Sequence, residues 1–464
     1  MDAVAPLPMI SHAAKSAATM EKLMAHPRLA DLVLHRLLGG MTVEPDPLLG
    51  GSMRATLLKI GAAVLPIEAI PAMAKVTAAT RKMHEGSLKA HREGGPLVWV
   101  TWPVPAAIIA TFDAAIYCPE NFYSVANAGD PRGSTRMCEV ADLNGVPAEI
   151  CSINRCMLGS YFAGEMPRPT LVVTNNHPCD GNHTGNTILR DLAGCEHFSM
   201  GGAYDKSPQT VAVWAKSAWE LVGVLEKKFG RPMDWERLKV FAERINRINR
   251  ALNKVTELHR NLPSPGLVNA LSVYWRVVAA QGWLEEMADG AELLLKAAEE
   301  IIEKARRTGA KRERLRVVLG DQAIAWTDFA GWLRKEYGGA LVADYIGSFH
   351  HPQIDTSSRE KLIEGLVLDR LHMSMVRQAH GAMEYTLDEL STVLSEYDAD
   401  CVLFHANVGC KHNMALRREI EELCQQAKVP ALFLDADIVD SRVVGEKALR
   451  DKIRAFLAAE GLPR

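Results

Sequence analysis

Apolar positions repeat with two different periods along this chain, and the switches between them mark its parts. In HPRLADLVLHRLLGGM (26–41) and AIPAMAKVTAATRKMHEGSLKAHREGG (69–95) they recur at helical spacing, and a Gly-Gly pair closes the second stretch. From Pro96 the texture becomes short apolar runs ended by turn or polar residues: PLVWVTW (96–102), AAIYCP (114–119) and TLVVTNN (170–176). Helical stretches such as GSTRMCEVADLNG lie between them, and strand alternating with helix predicts parallel α/β units. From Pro208 to Thr308 long amphipathic segments return, rich in i,i+4 charge pairs, with LPSPG separating helices. The last stretch is α/β again, with strands predicted in RLRVVLGD (314–321), GALVADYI (339–346), DCVLFHAN (400–407) and PALFLDAD (430–437).

This pattern predicts a helical N-terminal extension over 1–95 and a first α/β domain over 96–207. A helical region over 208–310 and a second α/β domain over 311–464 complete it. The fold class is α/β, with two doubly wound Rossmann-like or flavodoxin-like domains. In such sheets ligands collect beyond the carboxyl ends of the strands.

Composition narrows the partners. The 464 residues carry 48% apolar and 23% charged positions and a net charge of −3, ordinary for a soluble globular protein and without the basic excess of a nucleic-acid or anionic-membrane binder. No apolar run approaches the roughly 18–20 residues of a membrane span. The N-terminus lacks a basic start followed by a continuous apolar core, so a cytoplasmic location is expected. No GxxxxGK[ST], GxGxxG after a strand, or GxSxG is present.

Nine cysteines change the picture. An odd count in a reducing compartment favours free thiols, and without any CxxC a metal site has to gather distant cysteines through the fold. Three of them share a local grammar. Cys151 follows GVPAEI, a short possible strand, and opens a helical stretch; Cys179 follows the strand TLVVTNN; Cys410 follows CVLFHAN. Each stands at or near a predicted helix start, where backbone N–H groups and the helix dipole favour a thiolate or an anionic cluster. Soft thiolates there suit an iron–sulfur cluster or zinc. Cys118, Cys138, Cys195, Cys401 and Cys424 read as packing, and Cys156 is left open.

Three segments in this order, YCPENFYSVANAG…CEVADLNGVPAEICSINRCMLGSYFAG, then TLVVTNNHPCDGN, then ANVGCKHNMALRREIEELCQQAKVPALFLDADIVDSR, resemble the 2-hydroxyacyl-CoA dehydratase and benzoyl-CoA reductase family. The resemblance covers about residues 96–464 and leaves the N-terminal extension unexplained. It implies a subunit of an oxygen-sensitive heterodimer, with a [4Fe-4S] cluster on three cysteines that fall here on Cys151, Cys179 and Cys410. A homologous second subunit and a separate ATP-hydrolysing iron–sulfur activator are implied as partners, and an acyl-CoA as substrate. Cys410 would then be the ligand from the second domain.

The implied chemistry is the removal of water from a 2-hydroxyacyl thioester. One electron on the thioester carbonyl gives a ketyl radical anion that expels hydroxide, after which the β-proton becomes acidic. Ring reduction of a benzoyl-CoA is the alternative, and a double-cubane reductase or a cluster-free binding subunit are further ones. Glu120 matches the glutamate of the family's PEN motif and is a candidate to bind a hydroxyl or relay a proton. His350, beside His351 in GSFHHPQ, is a candidate proton donor. Asp180 and His183 flank Cys179 as second-sphere groups or turn formers. VTWPVPAA, with Thr101 and Trp102, stands where relatives carry serines and leaves the acyl group open.

Overall fold

In the computed structural model, the structure describes residues 7–31, 66–120, 133–176, 179–202, 205, 207–320, 327, 329–344, 350–373, 375–379 and 382–463. Much of HPRLADLVLHRLLGGM, the PEN segment beyond Glu120, and His177–Pro178 lie outside them.

The first sheet grows from four short strands, β1 (Leu97–Val100), β2 (Ala115–Tyr117), β3 (Leu171–Asn175) and β4 (His197–Met200), all parallel in the order β2-β1-β3-β4. β1 and β3 are buried along their whole length, which is why they read as unbroken apolar runs. Helices α1 (Pro8–Met24), α2 (Pro27–Asp31) and α3 (Ile70–Glu93) precede the sheet; α4 (Ala106–Ala110), α5 (Gly133–Leu143), α6 (Ser152–Phe162) and α7 (Asp180–Ala193) connect its strands. A Cβ on Gly159 would fall 1.9 Å from the Met137 carbonyl oxygen, so only glycine lets α6 lie directly on α5.

Four long helices follow: α8 (Pro208–Phe229), α9 (Trp235–Leu258), α10 (Val268–Gln281) and α11 (Glu285–Thr308). α8 and α9 start on side-chain caps: Ser207 Oγ accepts from the Thr210 N–H at 3.2 Å and Asp234 Oδ1 from the Arg237 N–H at 2.9 Å. The second sheet repeats the first: β5 (Leu315–Leu319), β6 (Gly339–Asp344), β7 (Cys401–Asn407) and β8 (Ala431–Ala436), all parallel, in the order β6-β5-β7-β8. Its helices are α12 (Phe329–Tyr337), α13 (Arg359–Leu371), α14 (Val376–Ala379), α15 (Glu384–Glu396), α16 (Lys411–Ala415), α17 (Arg417–Ala427) and α18 (Glu446–Ala459). Both sheets thus carry the flavodoxin-like strand order, whose ligand crevice opens where the order reverses, between β1 and β3 and between β5 and β7.

Two segments pack away from their neighbours in sequence. Ile354 and the α13 residues Leu362, Ile363, Leu366 and Val367 join the core of β1, α4 and α8 in the first unit, although they follow β6 of the second. Met20, Met24 and Met73 of the N-terminal helices are buried against α9, α10 and α11, while Leu7, Ile10 and Ala90 join the core of the first sheet, so the described part of the extension packs on both. GVPAEI is not a strand: it forms turns, with the Ile150 N–H on the Pro147 carbonyl at 3.2 Å. Pro147 has no N–H to give a ladder, which explains the difference. Among the described residues no helix is long and apolar enough to cross a membrane.

Arg316 on β5 is fully buried and ties the helical layer to the second sheet, donating to the carbonyls of Tyr397, His259 and Asn261 and to Glu313. His259, equally buried, has Nδ1 2.8 Å from the Val255 carbonyl and Nε2 accepting from the Leu267 N–H at 3.0 Å. That arrangement suits only the neutral ring, and burial holds its pKa down at about 4, from 6.5. A depressed histidine stabilises the fold above its unfolded pKa and loses that contribution as pH falls toward the folded value. The chain is therefore expected to lose up to about 3 kcal/mol at this residue alone between pH 6.5 and 4. Urea unfolding across that range checks it, and His259→Gln is expected to flatten the slope.

Candidate functional site

Cys151, Cys179 and Cys410 are the N-cap residues of α6, α7 and α16. None of them uses its side chain to cap, so all three thiols remain at helix N-termini, half-buried, whereas Cys118, Cys138, Cys156, Cys401 and Cys424 lie in the core. Cys179 follows β3 and Cys410 follows β7, equivalent places in the two sheets. Cys151 reaches the same region from a turn rather than from a strand.

The fold brings the three together. A Cβ on Gly409 would fall 2.7 Å from Cys151 Cα, 3.0 Å from the Ile150 carbonyl oxygen and 3.1 Å from the Cys151 nitrogen, so the residue before Cys410 lies on the Cys151 backbone. A Cβ on Gly181, two residues after Cys179, would be 3.7 Å from Cys151 Cβ. Asn407 Nδ2 stands 3.8 Å from Cys151 Sγ. Burial first, then the charges of Cys179 and Asp437, push the Cys151 thiol up to about 12, while the N–H groups of Ile153 and Asn154 pull the other way. Burial also raises Cys179, opposed by the N–H groups of Asn182 and Gly181. These thiols are crowded, close enough to repel as anions, and a positive partner would relieve them.

Close in sequence to these cysteines stand three asparagines with a buried atom that has no hydrogen-bond partner among the described residues: Asn154 Oδ1, Asn175 Nδ2 and Asn407 Oδ1. Orphan buried polar atoms are rare in native folds and mark places where a further group belongs. Among the described residues no three His, Cys, Asp or Glu side chains close on one point as ligands of a single ion. Soft thiolates are donors that an iron–sulfur cluster or zinc would take.

Glu120 follows β2 and is buried. Its Oε2 accepts from the Trp102 N–H at 2.9 Å, and Asn186 Nδ2, on the helix that Cys179 begins, lies 3.5 Å from Oε1. Burial lifts its carboxyl to about 7, against the hydrogen bonds from Asn186, Cys118, Trp102 and Asn182. A group with that pKa can hold or release a proton near neutrality. Thr101 Oγ1, 2.5 Å from Asn175 Oδ1, joins the ends of β1 and β3 at the crevice.

His350 is exposed, with Nε2 3.0 Å from Glu257 Oε1 on α9. His351 is buried, stacked on Trp275 at 3.7 Å, and burial keeps it neutral, with a pKa of about 4. Asp180 and His183 are exposed on the first turn of α7. Asp437, which acts on Cys151, was legible in the sequence only as part of an acidic C-terminal stretch; its Oδ1 accepts from the N–H groups of Val439 and Asp440 at 2.9 and 2.7 Å.

The sequence profile of the family described as 2-hydroxyglutaryl-CoA dehydratase, D-component, matches residues 101–458. The chain is 20% identical over 397 residues to the (R)-2-hydroxyisocaproyl-CoA dehydratase alpha subunit of Clostridioides difficile, covering 81% of this chain and 93% of that one. It is 23% identical over 425 residues to the lactoyl-CoA dehydratase subunit alpha of Anaerotignum propionicum, with the same coverage of 81% and 93%. The match begins at Thr101 and takes in Glu120, Cys151, Cys179 and Cys410.

Proposed function

The chain belongs to the 2-hydroxyglutaryl-CoA dehydratase D-component family, and from that premise we propose that it is the iron–sulfur subunit of a cytoplasmic 2-hydroxyacyl-CoA dehydratase. Cys151, Cys179 and Cys410 hold its [4Fe-4S] cluster, a homologous second subunit completes the enzyme, and an ATP-hydrolysing iron–sulfur activator supplies it. The observation that carries this reading is the approach of the Cys410 turn to Cys151, with Gly409 seated on the Cys151 backbone, and of the start of the Cys179 helix to the same residue: three half-buried cysteines from both α/β units, each the N-cap of a helix.

When bound, such a cluster supplies single electrons at low potential to an acyl-CoA thioester. The chain's own groups prepare the place. The N–H groups of α6 and α7 that face the thiols of Cys151 and Cys179 stabilise negative charge on sulfur. Glu120, anchored by the Trp102 N–H, holds a proton at its carboxyl up to about pH 7 and can receive or return one at the substrate hydroxyl or β-carbon.

Anaerobic reconstitution followed by iron and acid-labile sulfide analysis tests the ligand set: about four of each per chain are expected. Supplied with activator and second subunit, the loaded protein is expected to convert an (R)-2-hydroxyacyl-CoA to the enoyl-CoA. No retained iron would sink the reading.

Glu120→Gln separates proton chemistry from a structural role. A carboxyl raised from 4.5 to about 7 destabilises the folded state as pH rises through that window. The variant is thus expected to be more stable at about pH 8, by up to about 3 kcal/mol. Its turnover is expected to drop by about 10²-fold or more. A loss of stability with unchanged turnover would assign Glu120 a structural role.

A further inference from the structure

Behind the Cys151 helix, four charged side chains from both α/β units close into a ring. Arg155, one turn beyond Cys151, reaches Asp142 Oδ1 with Nη2 at 2.5 Å and Asp440 Oδ2 with Nη1 at 3.4 Å. Arg442 completes the circuit, its Nη2 2.6 Å from Asp440 Oδ2 and 3.0 Å from Asp142 Oδ2. Arg155 and Asp142 belong to α6 and α5 of the first unit; Asp440 and Arg442 follow β8 of the second. Charges alternate around the ring and sum to zero.

The inner half of the ring is out of solvent: the side chains of Arg155 and Asp440 are 6% and 2% exposed. Exposed ion pairs contribute little, but a buried pair with fixed geometry specifies how two surfaces register, even where it adds no net stability. The surroundings reinforce that role. Ile438 and Val439 enter the apolar core of the first unit beside Met137 and Cys138. Thr135 Oγ1 lies 3.2 Å from Ser441 Oγ and also receives the Ser441 N–H at 3.3 Å. The negative charge of Asp437, three residues before Asp440, acts on Cys151.

We propose that this ring is a latch that sets Cys151 in register with Cys410 across the boundary between the two units, with Arg155 and Asp440 as positioning residues. The proposal rests on the reading of the three thiols as one ligand set. Arg155 does not touch the thiols; it acts through the main chain of α6, whose first turn it shares with Cys151, the Arg155 N–H bonding the Cys151 carbonyl at 3.0 Å.

The test uses the full chain without iron, treated with the short thiol–thiol crosslinker dibromobimane and mapped by mass spectrometry. The readout is the ratio of the Cys151–Cys410 product, which spans the two units, to the Cys151–Cys179 product, which lies within the first. In Arg155→Leu and in Asp440→Asn that ratio is expected to fall about tenfold, corresponding to about 1.4 kcal/mol. Arg155→Lys is expected to restore part of it. A ratio that does not move, or both products falling together as they would in a loosened fold, overturns the latch.

Iron binding by the unaltered chain tests the ligand reading separately. If that chain forms both crosslinks and binds no iron, the functional reading falls and the latch stands. If it binds iron while the variants keep the crosslink ratio, the latch alone falls.

Discussion

Cys410→Ala is expected to reduce bound iron from about four atoms per chain to below about one after anaerobic reconstitution, and to abolish dehydration. The fold should survive. The Cys410 N–H bonds the Asn407 carbonyl at 2.8 Å and its carbonyl accepts from the Met414 N–H at 3.1 Å, both main-chain contacts that alanine keeps. The side chain is half-buried and makes no cap, so its removal opens no deep cavity. Loss of a group that merely supports a ligand already costs 10–100-fold in metal affinity, and loss of a thiolate ligand costs more. Cys424→Ala provides the contrast. That thiol lies in the core of the second sheet with Ile420 and Phe433. Its replacement is expected to cost about 1 kcal/mol of stability and to leave iron unchanged. Equal iron in the two variants would mean that Cys410 is core filler at a helix start and that the family likeness records descent only.

How far the sequence foretold this site depends on the range of the interactions involved. β1, β3, β5 and β7 are buried along both faces, and their unbroken apolar runs made them legible. β4 was not read, because it is a half-exposed edge strand, His197–Met200, whose residues form no apolar run. GVPAEI was misread for the converse reason: its apolar residues flank a proline-led turn. Cys179 and Cys410 were visible because each follows such a strand, but Cys151 was picked on a strand that does not exist, and its place is set by the turn before α6.

Contacts between distant segments left little local trace. α13 reads as a part of the second α/β unit, yet its apolar face fills the core of the first, and that displacement carries His350 to the side of α9. No local pattern announces it, since an amphipathic helix does not specify which of two cores it covers. The acidic stretch after β8 ends one of the segments that carry the family resemblance, while its partners, Asp142 and Arg155, lie 285 to 300 residues earlier. Complementary charges that far apart have no periodicity to betray them.

The closeness of the two units predicts a second large effect, one that leaves every ligand in place. Gly409 has no need of glycine's backbone freedom, because its φ is not positive. What it lacks is room: an added Cβ meets the Cys151 Cα, the Cys151 nitrogen and the Ile150 carbonyl oxygen, all main-chain atoms that cannot swing aside. Gly409→Ala therefore has to push the Cys410 turn off the start of α6, and Gly409→Val pushes it further. Overpacking of this kind costs about 1–3 kcal/mol. The strain falls on the one place where thiols from the two units must stay in register, so function is expected to suffer more than stability does. A displacement of about 1 Å between groups that hold a common centre is enough for a loss of about 10²-fold in rate. Iron per chain is expected to fall in the order glycine, alanine, valine, with nine thiols still titratable after unfolding and helix content unchanged by circular dichroism. A valine variant with its full iron and undiminished turnover would show that the approach of Gly409 to Cys151 is incidental, and with it the claim that one site is built from both halves would fail.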